Sequence, residues 1–212
     1  MKVFTEPRQK KLFEEVKRFY ESHNYDYGHR IDHVVRVIWW CIYLSKKEKV
    51  DLSILLPTAI LHDVGKEKGK KISHAEASYN ICSKFLKKYG YSKDEIKKIS
   101  KATLAHSIEY HMSPETIEEK VLFDADKLDA VGSIGIHRWV YGFEKEGRYE
   151  IAVEAILKLI KTWKKRVGRL PFYTKTAKKI GPQDVTYIEN MFNKSKKDLK
   201  KFEKINKELL SD

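Results

Sequence analysis

Apolar residues recur along this chain with a helical period, and no run with a period of two stands out. Between Phe4 and Ser22 they fall at Leu12, Phe13, Val16, Phe19 and Tyr20, one side of a helix that breaks at 24–28. A second helix is predicted from about His29 to Lys47, with Ile31, Val34, Val35, Ile38, Trp39 and Ile42 mostly turned inward. Asp51 or Ser53 can cap a third, from Leu52 to about Val64, which Gly65 stops. Ser73–Tyr89 is amphipathic and ends at Gly90. Ser92, with Glu95 three residues on, opens a helix to about Tyr110 through a capping box. Ser113-Pro114-Glu115-Thr116 reads as the next start signal, for a helix continuing to Val131. A shorter segment punctuated by Gly132, Gly135 and Gly142 follows. Tyr149–Val167 is helical, 168–171 is a break, and a long closing helix runs from Pro182 to about Leu210. The predicted fold class is all-α, with eight or nine helices in one domain over 1–212.

Composition narrows the picture. Hydrophobic residues make up 42% of the 212, enough for a core, so wholesale disorder is excluded. Two cysteines, Cys41 and Cys82, leave no disulfide framework and no Cys-rich zinc site. No segment reads as a signal peptide or a membrane span, so a cytoplasmic location is expected. The net charge of +13 is uneven: +9 over 1–106, −5 over 107–150 and +9 over 151–212. Of 43 cations 35 are Lys and 8 are Arg, whereas readers of phosphate and base edges favour Arg. Lys runs such as 66–71 and 194–201 read as solvated faces, so nucleic acid is a possible partner that charge alone does not favour.

Histidine is where chemistry enters. His62-Asp63 ends an apolar helix just before Gly65, where two metal-capable side chains in a fraying last turn can converge. Taken alone, the pair reads more simply as a core histidine beside a capping aspartate. His29 and His33, at i and i+4, share a face. Asp124, Asp126 and Asp129 interleave with Phe123, Leu128 and Val131. A mostly buried face bearing carboxylates must neutralise them, by a metal or by capping and salt bridges, with Lys127 at hand.

In chain order these residues are His33, His62-Asp63 and Asp126. The set resembles the HD-domain superfamily of metal-dependent phosphohydrolases. His29–Val37 looks like that family's HxxxHxxRV motif, and Asp124–Arg138 is similar to a narrower branch reading DADxLDAxGxIGIxR, which includes nucleotide pyrophosphohydrolases. His74xxxSer78, His106-Ser107 and the Thr174–Lys179 segment also fit, so the resemblance covers about residues 25–180. Two departures stand out: Arg30 follows the first histidine where the branch often has Asp, and His62-Asp63-Val64-Gly65-Lys66 has the HDxGK form of cyclic-dinucleotide-degrading relatives.

The resemblance implies a helical bundle in which His33, His62, Asp63 and Asp126 hold a divalent metal. Two imidazoles and two carboxylates suit Mn²⁺, Mg²⁺, Fe²⁺, Ni²⁺ or Co²⁺, with Zn²⁺ also compatible. Asp63, Lys66 and His106 are the candidate catalytic residues. His29, Arg36, His74, Lys127 and Arg138 are candidates for a phosphorylated small-molecule substrate, with His29 and His74 also open to a second metal. Bland alternatives exist: Arg36 pairing with Asp32, Lys127 solvated, Arg138 capping its helix, His74 at the surface. The implied activity is hydrolysis of a nucleotide by metal-activated water. Its rivals are a phosphodiesterase on a cyclic or linear oligonucleotide and a basic nucleic-acid-binding helical protein.

Overall fold

One helix organises the molecule. In the computed structural model, which describes residues 3–25, 27–66, 73–107, 112–145, 153–166 and 171–210, Leu52–Leu61 (α3) buries every side chain from Ile54 to Leu61. A helix apolar on all sides belongs at the centre. It packs against Pro7–Ser22 (α1), Ile31–Ser45 (α2), Lys93–Ala105 (α5) and Ile117–Asp129 (α6). His74–Lys88 (α4) lies along α5. Gly132–Lys145 (α7), Val153–Arg166 (α8) and Lys175–Leu210 (α9) pack on one another, with α6 beneath α7 and α9. Leu12, Val16, Leu55, Leu56, Ile60, Leu86, Ile99 and Leu122 fill the main core. Trp163 meets Phe192 edge to face at 5.5 Å between α8 and α9. No strand occurs among the described residues, and none of the described helices is long and apolar enough to cross a membrane.

The predicted helices are present, and their ends moved where a cap outcompeted another signal. At α5 the Ser92–Glu95 capping box forms as read. α6 begins at Ile117, three residues after Pro114, because Thr116 and Glu119 form a reciprocal capping box there. α9 begins at Lys175, not at Pro182. Thr174 Oγ1 accepts from Ala177 N at 3.2 Å, and Pro182 sits inside the helix. Gly181 matters here: a Cβ on it would lie 2.3 Å from the Phe172 ring. α3 ends at Leu61, leaving His62–Gly65 in turns. Val35 and Trp39, read as inward, face outward; α2 buries His33, Val34, Val37, Ile38, Cys41 and Leu44 instead. The predicted stretches around Tyr110, Tyr149, Val167 and 67–71 lie outside the described residues.

The N-terminal helix is tied down electrostatically. Arg8 Nη2 donates to Glu95 Oε1 at 2.5 Å, and its guanidinium lies 4.1 Å from the Tyr91 ring centroid. Arg8 pulls the Glu95 pKa down to about 2, against burial. A lowered folded-state pKa means stability that is present above about pH 4.5 and lost as pH falls toward 2. Both side chains are partly exposed, so Arg8→Ala is expected to cost about 0.5–1 kcal/mol at neutral pH. In urea titrations that difference should close as pH falls to about 2; a gap that persists there would assign it to lost packing on Tyr91.

Candidate metal centre

Five separate segments bring their chemistry to one point. His33 comes from α2, His62 and Asp63 from the turn ending α3, His74 from the first residue of α4, His106 from the C-cap of α5 and Asp126 from α6. His33, His62, Asp63 and His106 are buried, at 0%, 0%, 2% and 1% exposure. Gly65 permits the close approach of α4 that completes the cluster: a Cβ there would sit 2.3 Å from Ser78 N, and Gly65 N donates to Ser78 Oγ at 2.9 Å.

Three imidazoles are oriented the same way. His33 Nδ1 meets Asp129 Oδ2 at 2.7 Å, His62 Nδ1 meets the Ala59 carbonyl at 2.8 Å, and His106 Nδ1 meets the Thr103 carbonyl at 2.5 Å. Each partner is an acceptor, so each Nδ1 carries a proton and each ring, in its neutral form, turns a bare Nε2 lone pair inward. Those lone pairs face one another and two carboxylates. His33 Nε2 lies 3.2 Å from His62 Nε2, 3.3 Å from Asp126 Oδ1 and 3.6 Å from Asp63 Oδ2. His62 Nε2 is likewise 3.6 Å from Asp63 Oδ2. On the other side of Asp63, Oδ1 lies 3.4 Å from His106 Nε2 and 3.7 Å from His74 Nε2. That oxygen is buried without a hydrogen-bond partner. Converging acceptors, one of them orphaned, call for a cation, and two imidazoles with two carboxylates fit a divalent metal.

Two ligand triads therefore share Asp63: His33 with His62, and His74 with His106. Burial drives the His62 pKa down to about 4 and that of His74 to about 3, so both rings stay neutral. Burial and the Arg138 charge push His33 down, but hydrogen bonds to Asp126 and Asp129 outweigh them and raise it. Burial alone would raise Asp63; Lys66, His62 and His106 reverse that and hold it well below the usual carboxylate range. Asp126 is also held low, chiefly by Lys127 against burial.

The remaining candidates divide into two groups. Lys127 is nearly buried, donates to Asp126 Oδ2 and lies 5.1 Å from the Phe123 ring centroid. Lys66 is half-buried beside Asp63, and His29 is edge-on to His33 at 5.7 Å between ring centroids. His74 is 15% exposed and faces the cluster. Arg36 and Arg138 turn away from the cluster. Arg36 Nε donates to Asp129 Oδ1 at 2.7 Å and its Nη1 to Asp32 at 2.6 Å; Arg138 Nη1 donates to Asp129 Oδ2 at 2.5 Å and its Nη2 to the Gly28 carbonyl. Asp129, which sequence reasoning noted but gave no role, is thus the carboxylate behind His33. Asp124 accepts from Tyr173 and Thr174 backbone N–H groups at 2.6–3.0 Å and anchors the start of α9.

Residues 30–131 match the HD domain family. Among curated relatives, the chain is 30% identical over 118 residues to Bacillus subtilis YpgQ, covering 52% of this chain and 55% of that protein. It is 28% identical over 160 residues to the tRNA (cytidine(56)-2'-O)-methyltransferase of Thermoplasma volcanium, covering 68% of this chain and 46% of that protein. The chain thus spans about half the length of these relatives. An HD-superfamily hydrolase from Bacillus thuringiensis superposes with a TM-score of 0.66 at 26% identity, over 96% of this chain and 97% of that one. The structure of YpgQ in complex with ADP superposes with a TM-score of 0.66 at 24% identity, over 90% and 96%.

Proposed function

We propose that this chain is a metal-dependent phosphohydrolase acting on nucleotides, and that it releases pyrophosphate from a nucleoside triphosphate. The observation that carries the reading is the convergence of His33, His62 and Asp63 on one buried point, with Asp126 Oδ1 3.3 Å from His33 Nε2 at its edge. These four would hold the metal, which when bound supplies an acidified water and polarises a phosphoryl oxygen. Asp63 is the residue to orient that water and accept its proton, because its Oδ1 is unpartnered and its carboxylate stays ionised. Lys66 and Lys127 flank the two ligating carboxylates and would offset phosphate charge in a nearly dry site. His106, with Nδ1 fixed on Thr103, would bind phosphate or protonate the leaving oxygen through Nε2 when the ring carries a second proton there. Arg36 and Arg138 act on substrate indirectly in this reading, by holding Asp129 and through it His33. The ADP complex of the related YpgQ supports a nucleotide ligand.

One observation favours a second reading. Asp63 is common to both triads, so a second ion between His74 and His106 would give the two-metal arrangement suited to phosphodiesters. A metal-stripped assay separates the two. Mn²⁺, Mg²⁺, Fe²⁺, Ni²⁺, Co²⁺ and Zn²⁺ are tested against nucleoside triphosphates, monophosphates, cyclic nucleotides and a generic diester. Pyrophosphate with a monophosphate, formed only with added metal, is the expected result. Product from the diester alone would select the phosphodiesterase, and no product with any ion would overturn both.

A further inference from the structure

The outward face of α2 carries an apolar stripe that the domain itself leaves uncovered. Val35, Trp39 and Tyr43 are 49%, 51% and 39% exposed, and Asp32 and Lys46 flank them at the surface. At about 100° per residue these five positions fall within an arc of about 80°. Among the described residues the other exposed large hydrophobic side chains, Val3, Tyr79, Ile134 and Tyr187, are spread over separate segments. On α2 they are consolidated. Trp39 stacks on Tyr43 at 5.3 Å and 9° between planes, Trp40 packs edge-on against both, and Lys46 Nζ lies 5.9 Å from the Tyr43 centroid.

The order of the stripe says what fits it. It is acidic at its N-terminal end, apolar in the middle and basic at its C-terminal end. It is also symmetric about Trp39, with Val35 and Tyr43 four residues away on either side and Asp32 and Lys46 seven. Such a sequence is complementary to itself run backwards. We propose that a second copy of this chain docks here, α2 antiparallel to α2 about a two-fold axis at Trp39. The axis sets Trp39 against Trp39 of the partner subunit, Val35 against Tyr43 of the partner subunit and Asp32 against Lys46 of the partner subunit. The Trp39 pair lies on the axis and the other two contacts are each made twice, as an isologous interface requires. Asp32 stays available for this, since its side chain is 57% exposed while it accepts from Arg36.

A single-stranded nucleic acid fits the stripe less well despite the net positive charge. The adjoining faces of Trp39 and Tyr43 are turned onto each other, Arg36 is committed to Asp32 and Asp129, and a carboxylate heads the track where a phosphate would lie.

Sedimentation equilibrium on the full chain tests this. The wild type should be a dimer and Trp39→Glu a monomer with an unchanged helical circular dichroism spectrum. Asp32→Lys and Lys46→Glu should each raise the dimer dissociation constant at least about tenfold, and the double reversal should return it to within about threefold of wild type. Should Trp39→Glu fail to fold, Tyr43→Lys takes its place with the same expected outcome. A wild type that stays monomeric to about 100 µM overturns the proposal. So does a dimer that survives the substitution, or a double reversal no better than either single change. A monomer that binds a labelled single-stranded RNA through Trp39 overturns it in favour of nucleic acid.

Discussion

Asp63→Ala is expected to lower metal-dependent turnover by about 10³-fold or more while leaving the helical spectrum of the protein intact. Asp63 is the residue both ligand triads share, and its Oδ1 is the buried oxygen without a partner. Losing it therefore removes a ligand and the proposed proton acceptor together. Stability should also fall, for a separate reason. In metal-free protein Lys66, His62 and His106 hold the Asp63 carboxylate ionised, so deleting it should lower the thermal midpoint relative to metal-free wild type. Metal added at about a hundredfold over its dissociation constant should stabilise the wild type by about 2.7 kcal/mol, or about 5–10 °C, and the variant hardly at all. Calorimetry with and without chelator, beside the turnover assay, reads both effects. Turnover surviving in both Asp63→Ala and His62→Ala would mean the chemistry lies elsewhere.

Asp129→Ala should produce the largest loss of stability, about 3–5 kcal/mol in urea unfolding. The carboxylate is 2% exposed and receives His33, Arg36 and Arg138 at once. Removing it leaves the Arg138 guanidinium without its carboxylate partner and Arg36 with Asp32 alone, and takes the acceptor from His33 Nδ1. Asp129→Asn is the more informative variant, because it keeps the shape and one acceptor. It should retain the fold but weaken metal binding by about 10–100-fold, since the amide no longer fixes the His33 tautomer and ring angle as firmly. Metal affinity read by competition with a chromophoric chelator distinguishes this from simple destabilisation. An Asp129→Asn protein that is folded and binds metal as tightly as wild type would show that the clamp serves only the fold.

These residues also mark how far sequence reasoning reaches. The helices were legible because their apolar period is strong and most of their caps are local. The start of α9 expected at Pro182 lies seven positions beyond the observed one, because Pro182 is a louder start signal than Thr174, whose cap bond is equally local but weaker in pattern. Val35 and Trp39 were assigned inward because α2 is apolar over more of its circumference than one buried face needs. At the site, His33, His62, Asp63 and Asp126 are legible by resemblance; the structure groups the first three and sets Asp126 3.3 Å from His33. Asp124 and Asp129 were visible as acids on an apolar face, but not by role. Their partners stand 49 and 50 residues downstream for Asp124, and 96 upstream for the His33 bond to Asp129, with no local pattern to announce them. Arg36 and Arg138 drew attention as phosphate ligands for the same reason they bind Asp129: a guanidinium fork matches either anion.

The 96-residue separation between His33 and Asp129 sets a schedule for the cell as well as a geometry for the site. A ribosome delivers His33 and the His62-Asp63 pair first, and Asp126 only after a further 63 residues of chain have been made. At about 5–20 residues per second that interval is about 3–13 s. During it the emerging chain offers two imidazoles and a carboxylate without the counter-anion that orients His33. Such an incomplete set would favour the most avid divalent ion over the one the finished site suits, following the general order of affinities in which copper and zinc lead. On the proposed function, the ion carried by purified protein would depend in part on whether ions exchange after α6 docks, and so on the ion pool present during synthesis.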